Sequence, residues 1–254
     1  MQIQRRTDGA QSAYFVYEQE TLLGKAETLE DALNQELKPV EDLLVWGELL
    51  VPCTPTKIVC VGLNYQQHAA EMNKSIPEEP LLFMKPTSAL LAHEGTIVRP
   101  PQSNEVHYEA ELAVVIRQTS KNLALEEVPA AIAGYTLFND VTARDIQRKD
   151  IQYTRGKSFD TFAAVGPTIV TDLDPERLHI RLRVNGEERQ SSPVADMIFN
   201  VQQIVAYVSQ MMTLEPGDII ATGTPSGVGE LHDGDVVEVE IAEIGILRND
   251  VRDA

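Results

Sequence analysis

The sequence predicts a strand-rich α+β fold, and two observations carry that expectation. Short apolar or alternating runs bounded by turn residues outnumber the helical patterns. Only one long stretch, "NVQQIVAYVSQMM", repeats its apolar residues at helical spacing. There Val201, Ile204, Val205, Val208, Met211 and Met212 form one stripe, read as a face turned to the core. With 254 residues, 43% of them hydrophobic, the chain can bury a sizeable core.

The elements follow in order. Residues 1–50 read as a small N-terminal α+β unit. "AYFVYEQETLLG" supplies two short strands, and "TLEDALNQEL" a short helix with Thr28 as N-cap and Asp31 three residues on. "VPCTPTK", with Pro52 and Pro55, reads as a linker into a second domain, residues 51–254. "KIVCVG" is a short buried strand ending in Gly62. "NYQQHAAEMNK" is a short helix capped by Asn64, and "SIPEEP" a loop. "ELAVVI" and "YTLFND" are strands, with "ALEEVPAAIAGY" read as a helix. Alternation on both sides of Asn185-Gly186 in "LHIRLRVNGEERQ" predicts a hairpin. "GDIIATG" and "DGDVVEVEIAEIG" are strands. In the second, Val237, Val239 and Ile241 alternate with Glu238 and Glu240, so one face is wet.

Charge narrows the partners. Lys and Arg total 21 against 39 Asp and Glu, a formal net charge of -18, which argues against nucleic acid or an acidic membrane surface. A small anionic substrate stays compatible, because a site can be locally positive in an acidic chain. Cys53 and Cys60 make no disulfide framework, and Cys60 reads as a core thiol. No run of about 18 apolar residues suits a membrane span. "MQIQRRTDGAQSAYFVYEQE" lacks the apolar core of a signal peptide, so a soluble cytoplasmic protein is expected.

Three features carry possible chemistry. In "VHYEAELAVVI", Glu109 and Glu111 stand two apart, on one face of a strand, about 6.6 Å apart along the backbone. They are either a solvated strand end or two ligands of a hard cation such as magnesium. Asp140, ending "YTLFND", is either a cap or a third ligand. In "NYQQHAAE", His68 and Glu71 are neighbours at helical spacing. They are either an exposed pair or an imidazole whose tautomer a carboxylate fixes, as a general base requires. In "ARDIQRKDIQYTRGKSFD", Arg144 and Lys157 flank apolar segments and are the better site candidates. Arg148, Lys149 and Arg155 read as surface. The glycine-rich "ATGTPSGVG" offers backbone N–H groups and the Thr224 hydroxyl to an anion, or is simply a tight loop.

In their order, "KIVCVGLNYQQHAAE", "PEEPLLFMKP", "VHYEAELAVVI", "AGYTLFNDVTARDIQ", "KSFDTFAAVGP" and "GDIIATGTPSGVG" resemble the fumarylacetoacetate hydrolase family from about Lys57 to the C-terminus. Within it they look like the acylpyruvase and 2-hydroxyhepta-2,4-diene-1,7-dioate isomerase branch. The resemblance implies a mixed β-sandwich roll and a homodimer. It implies a divalent metal, typically magnesium with manganese or calcium as alternatives, held by Glu109, Glu111 and Asp140. No aspartate near "GLNY" supplies the fourth ligand of the family's first member, so three carboxylates are expected. It also implies that His68 and Glu71 ride on a lid, that Arg144, Gln147 and Lys157 are polar residues of the active site, and that Thr224 belongs to the loop that binds a substrate carboxylate.

The expected substrates are small 2-oxo acids or their enols, dicarboxylates among them. Lewis-acid charge from a metal would stabilise an enolate, with help from Lys157. Water delivered by His68 would then give C–C hydrolysis, loss of a carboxylate decarboxylation, as with oxaloacetate, and a moved proton isomerisation. A catalytically silent metal-binding scaffold is the reading from another class. An intact His68–Glu71 pair beside Lys157 argues against it.

Overall fold

The computed structural model describes all 254 residues, Met1–Ala254. Nine strands run across the main sheet in the spatial order Thr21–Ala26, Ser12–Glu18, Gln2–Thr7, Ala163–Val170, Ile132–Asp140, Ala110–Ile116, Ile219–Ala221, Ile58–Gly62 and Leu81–Lys85. Two short strands add to it off this path, making eleven. Most neighbours are antiparallel, but Ile219–Ala221 runs parallel to Ile58–Gly62. The N-terminal strands join the rest where Gln2 and Ile3 pair with Val170 and Ile169. A second sheet of five strands holds the Asn185-Gly186 hairpin and the alternating strand Val236–Ile241. A third, of three short strands, is centred on Val106–Tyr108.

Alternation decides the layers. In Ala110–Ile116 every residue is buried. Ala110, Leu112, Val114 and Ile116 face the larger core, shared with Leu182, Val239 and Ile241 of the second sheet. Ala113 and Val115 face a second, smaller core with Cys60, Phe138, Ala163 and Ala221. Glu111 has the parity of this second set. The hairpin turns as its dipeptide predicts, with φ of 53° at Asn185 and 78° at Gly186. Thr28 caps its helix, Leu29–Leu33, by accepting the Asp31 N–H at 3.0 Å. The longest helix is Val201–Met211, capped by Asn200.

Three expectations need correction. "ALEEVPAAIAGY" yields only one turn of α-helix, Val128–Ala131, before the chain enters its strand at Ile132, because the buried sheet position overrides helix propensity. Met211 is half exposed, past the edge of the core that Val208 still reaches. Asn64 does not cap the helix Gln66–Glu71, whose N-cap is Tyr65. The Asn64 side chain is fully buried. It donates to Thr222 O at 2.7 Å and Phe199 O at 3.0 Å, and accepts from Phe199 N–H at 2.8 Å. It thus ties the segment before this helix to two distant loops.

That role predicts the effect of Asn64→Ala. Three backbone groups, two of them on half-buried Phe199, lose their bonds, each loss costing about 1 kcal/mol. The variant should lose roughly 3 kcal/mol of stability, read as a lower urea midpoint at unchanged m-value. A midpoint within error of the parent would remove Asn64 as a fastener.

Candidate active site

The strand that should run unbroken through "VHYEAELAVVI" breaks at Glu109. Two successive N–H groups turn to side chains instead of the ladder. Glu109 N–H donates to Asn139 Oδ1 at 3.0 Å and Ala110 N–H to Gln190 Oε1 at 2.9 Å. Before the break the chain belongs to the three-stranded sheet, and after it to the main sheet. Asp140 N–H donates to Glu109 O at 2.9 Å, so the end of Ile132–Asp140 is pinned beside the break. The three carboxylates expected to gather do so: Glu109, Glu111 and Asp140 are buried, with one oxygen of each within 4.8 Å of the others.

Three buried cations answer them. Lys157 Nζ donates to Asp140 Oδ2 at 2.6 Å and Glu109 Oε2 at 2.9 Å. Arg144 bonds Glu109 Oε1, and its other arm donates to Gln147 Oε1 at 2.6 Å. Lys85 bonds Asp140 Oδ1 and donates to Val141 O at 2.9 Å. Two short helices, Arg144–Lys149 and Thr154–Lys157, carry Arg144 and Lys157. They approach at Gly156, where a Cβ would meet Gln147 N at 3.0 Å and Ala143 O at 3.1 Å. Arg148 and Arg155 lie on the surface as expected, paired with Glu105 and Asp150.

Glu111 is the exception: no cation touches it, and its contact is the Gly223 N–H at 2.8 Å. Burial, then Asp140 and Glu109, push its carboxyl well above the ordinary value of 4.5. Burial acts the same way on Glu109, but Lys157 and Arg144 outweigh it and hold that carboxyl well below the ordinary value. Lys157 resists the loss of charge that burial favours, because Asp140 and Glu109 raise its pKa. An all-oxygen, buried donor set containing one uncompensated carboxylate fits a hard divalent cation. The triad can therefore hold a metal.

The other expected residues come to the same cleft, which encloses about 50 Å³. His68, Gln147 and Thr224 line it with Glu109, Glu111 and Lys157. His68 Nδ1 faces Glu71 Oε2 at 3.1 Å. Glu71 in turn accepts the Gly227 N–H at 3.1 and 3.3 Å. Gly227 has φ +95°, and a Cβ there would sit 2.2 Å from Arg189 O, so the loop takes this path only with glycine. Thr224 Oγ1 accepts from Gln190 Nε2 at 2.9 Å, which leaves its hydroxyl hydrogen free to donate. His107 does not line the cleft: its Nε2 faces Glu105 at 3.1 Å, and its Nδ1 accepts from Arg144 Nε at 3.5 Å. Cys60 is a buried core thiol, its pKa pushed well up by burial.

Sequence reasoning missed Lys85 and Phe83. Both lie on Leu81–Lys85, two residues apart and so on one face, and Lys157 Nζ stands 4.9 Å from the Phe83 ring centre. The available signal was a lysine ending an otherwise apolar strand. Gln190 and Asn139 carried no signal, since their partners are far along the chain.

Comparison with known proteins identifies the family. Residues 57–252 match the model of the fumarylacetoacetate (FAA) hydrolase C-terminal family. An uncharacterized protein of Methanocaldococcus jannaschii is 59% identical over 78% of this chain and 84% of its own length. The mitochondrial oxaloacetate tautomerase FAHD2B of Homo sapiens is 44% identical over 82% of this chain and 71% of its own. The crystal structure of 2-hydroxyhepta-2,4-diene-1,7-dioate isomerase from Mycobacterium marinum superposes with a TM-score of 0.87 at 38% identity, covering 100% of this chain and 98% of that one. The strand-rich α+β architecture is that of these relatives, and the scaffold reading falls away. The chain is an enzyme, and it belongs to the fumarylacetoacetate hydrolase family.

Proposed function

We propose that this enzyme moves a proton between the keto and enol forms of a small 2-oxo acid, as a tautomerase or isomerase. The observation that carries this reading is the His68–Glu71 pair, whose imidazole lines one cleft with Glu109 and Glu111 of the acidic triad. Two of the relatives bear names, oxaloacetate tautomerase and dienedioate isomerase, that denote rearrangement without loss of atoms.

With Nδ1–H directed at Glu71, His68 keeps Nε2 as its proton acceptor. Nε2 takes a proton from the carbon beside the 2-oxo group, and the electron pair moves onto the carbonyl oxygen. The Lys157 ammonium donates a hydrogen bond to that oxygen as charge builds. Return of the proton to the oxygen gives the enol, and return to a remote carbon of a conjugated acid gives the isomer. The Thr224 hydroxyl and the free amide N–H groups of Gln147 hold the substrate carboxylate, with Arg144 fixing Gln147. Glu109, Glu111 and Asp140 would hold magnesium, or manganese or calcium in its place, which supplies further positive charge for the 2-oxo oxygen. A homodimer is the assembly that the family resemblance suggests.

Hydrolysis of an acylpyruvate is the second reading, favoured by the hydrolase description of the matching family. His68 would then deliver water to the distal carbonyl. A turnover panel with added magnesium separates the two, using oxaloacetate, a 2-hydroxy-dienedioate and an acylpyruvate. Rearranged product of unchanged mass supports proton transfer. A released two-part product supports hydrolysis, carbon dioxide supports decarboxylation, and silence on all three sinks the proposal.

Three variants probe the parts. Glu111→Gln keeps the Gly223 bond but removes the uncompensated charge. The folded carboxyl titrates above its unfolded value, so the stability it contributes is complete below about pH 4.5 and is lost as pH rises through the higher folded pKa. In metal-free protein the variant should gain stability over the parent as pH rises above 4.5. It should also lose the stabilisation, about 2.7 kcal/mol at a hundred times Kd, that magnesium gives the parent. Equal magnesium stabilisation of both proteins would refute the site. His68→Ala should lower kcat about 100-fold or more while magnesium affinity stays put. Full activity without the imidazole would remove it as the base. Lys157→Met should cut kcat more than it raises KM. It should also destabilise the protein by roughly 3 kcal/mol or more, because Glu109 and Asp140 lose their shared partner. A pure KM effect would contradict its action on the enolate.

A further inference from the structure

The cleft contains one cation that no carboxylate of the chain claims. Arg144 and Lys157 are committed to Glu109 and Asp140, and Lys85 behind them to Asp140. Lys74 lines the same cleft, yet it takes part in no ion pair or side-chain hydrogen bond.

Its position is built, not incidental. The helix Gln66–Glu71 ends with Met72 N–H on His68 O at 3.0 Å, Asn73 N–H on Ala70 O at 3.0 Å and Lys74 N–H on Ala69 O at 2.9 Å. Asn73 has φ 52°, the left-handed conformation this helix-ending motif demands and asparagine tolerates. The reversal brings residue 74 back to the cleft that His68 lines from the same segment. The other cations of the site are each paired with a carboxylate, so Lys74 is the one with an unshared charge to offer an anion.

We propose that Lys74 reads the distal carboxylate of a dicarboxylic 2-oxo acid and so makes the enzyme select dianions over monoanions of the same skeleton. This rests on the proton-transfer reading above. The 2-oxo acid end occupies the triad, Lys157 and Thr224. A second carboxylate then finds Lys74 as the free cation lining the cleft, and a neutral ester in its place finds no partner. An ammonium serves this task well, being a compact charge with three rotatable donors.

The test compares oxaloacetate with its 4-methyl ester in the full-length parent, Lys74→Met and Lys74→Arg, with magnesium present. The parent should prefer the dianion. Lys74→Met should reduce that preference on the order of tenfold, through KM more than kcat, and Lys74→Arg should keep most of it. The same preference in Lys74→Met as in the parent overturns the proposal. Turnover of neither compound by the parent counts against proton transfer on oxaloacetate instead. Calorimetric affinities of the two compounds then decide the lysine alone: a dianion preference lost in Lys74→Met upholds it, and one unchanged refutes it.

Discussion

Three carboxylates placed out of water within one small volume set the terms for the rest of the molecule. Burial and mutual repulsion both oppose their charge, so the chain must bring cations from elsewhere. It draws them from three places: Arg144 from the start of one short helix, Lys157 from the end of the next, and Lys85 from the edge strand of the main sheet. The break at Glu109 serves the same end. Handing two backbone N–H groups to Asn139 and Gln190 lets the chain change sheets while the carboxylate stays turned inward. What remains is a deliberate imbalance at Glu111, which has a backbone N–H and no cation.

Much of the scaffold could be read from local pattern. The Asn185-Gly186 hairpin, the Thr28 cap, the helix Val201–Met211 and the half-wet strand Val236–Ile241 are decided by residues near one another, and they form as their pattern predicts. The failures share a cause. Asn64 looked like a cap because its true partners, Thr222 and Phe199, are far along the chain. Lys85 went unread because its partner, Asp140, is 55 residues away. The clearest case is a pair of pairs. Glu109 with Glu111 and Glu238 with Glu240 have the same spacing, yet the first pair is buried and the second half-buried on a sheet face. Spacing alone held both readings, and only the opposing residues separate them. The order of several motifs along the chain did what no single motif could, because it carries long-range information that local pattern lacks.

Glu71 serves two masters. One oxygen faces the imidazole of His68, and both lie within reach of the Gly227 amide on the opposite loop. On the proposed chemistry this makes the carboxylate an interlock. The helix that bears the base is fastened to the far rim by the very group that orients the base. The cleft encloses about 50 Å³, far less than the roughly 300 Å³ of an ordinary ligand pocket, so on this reading a substrate is admitted by undoing that fastening. An unlatched helix therefore carries an untethered imidazole. Readiness for proton transfer and exclusion of bulk water become a single event, and a passing solvent molecule meets the base only in its idle state.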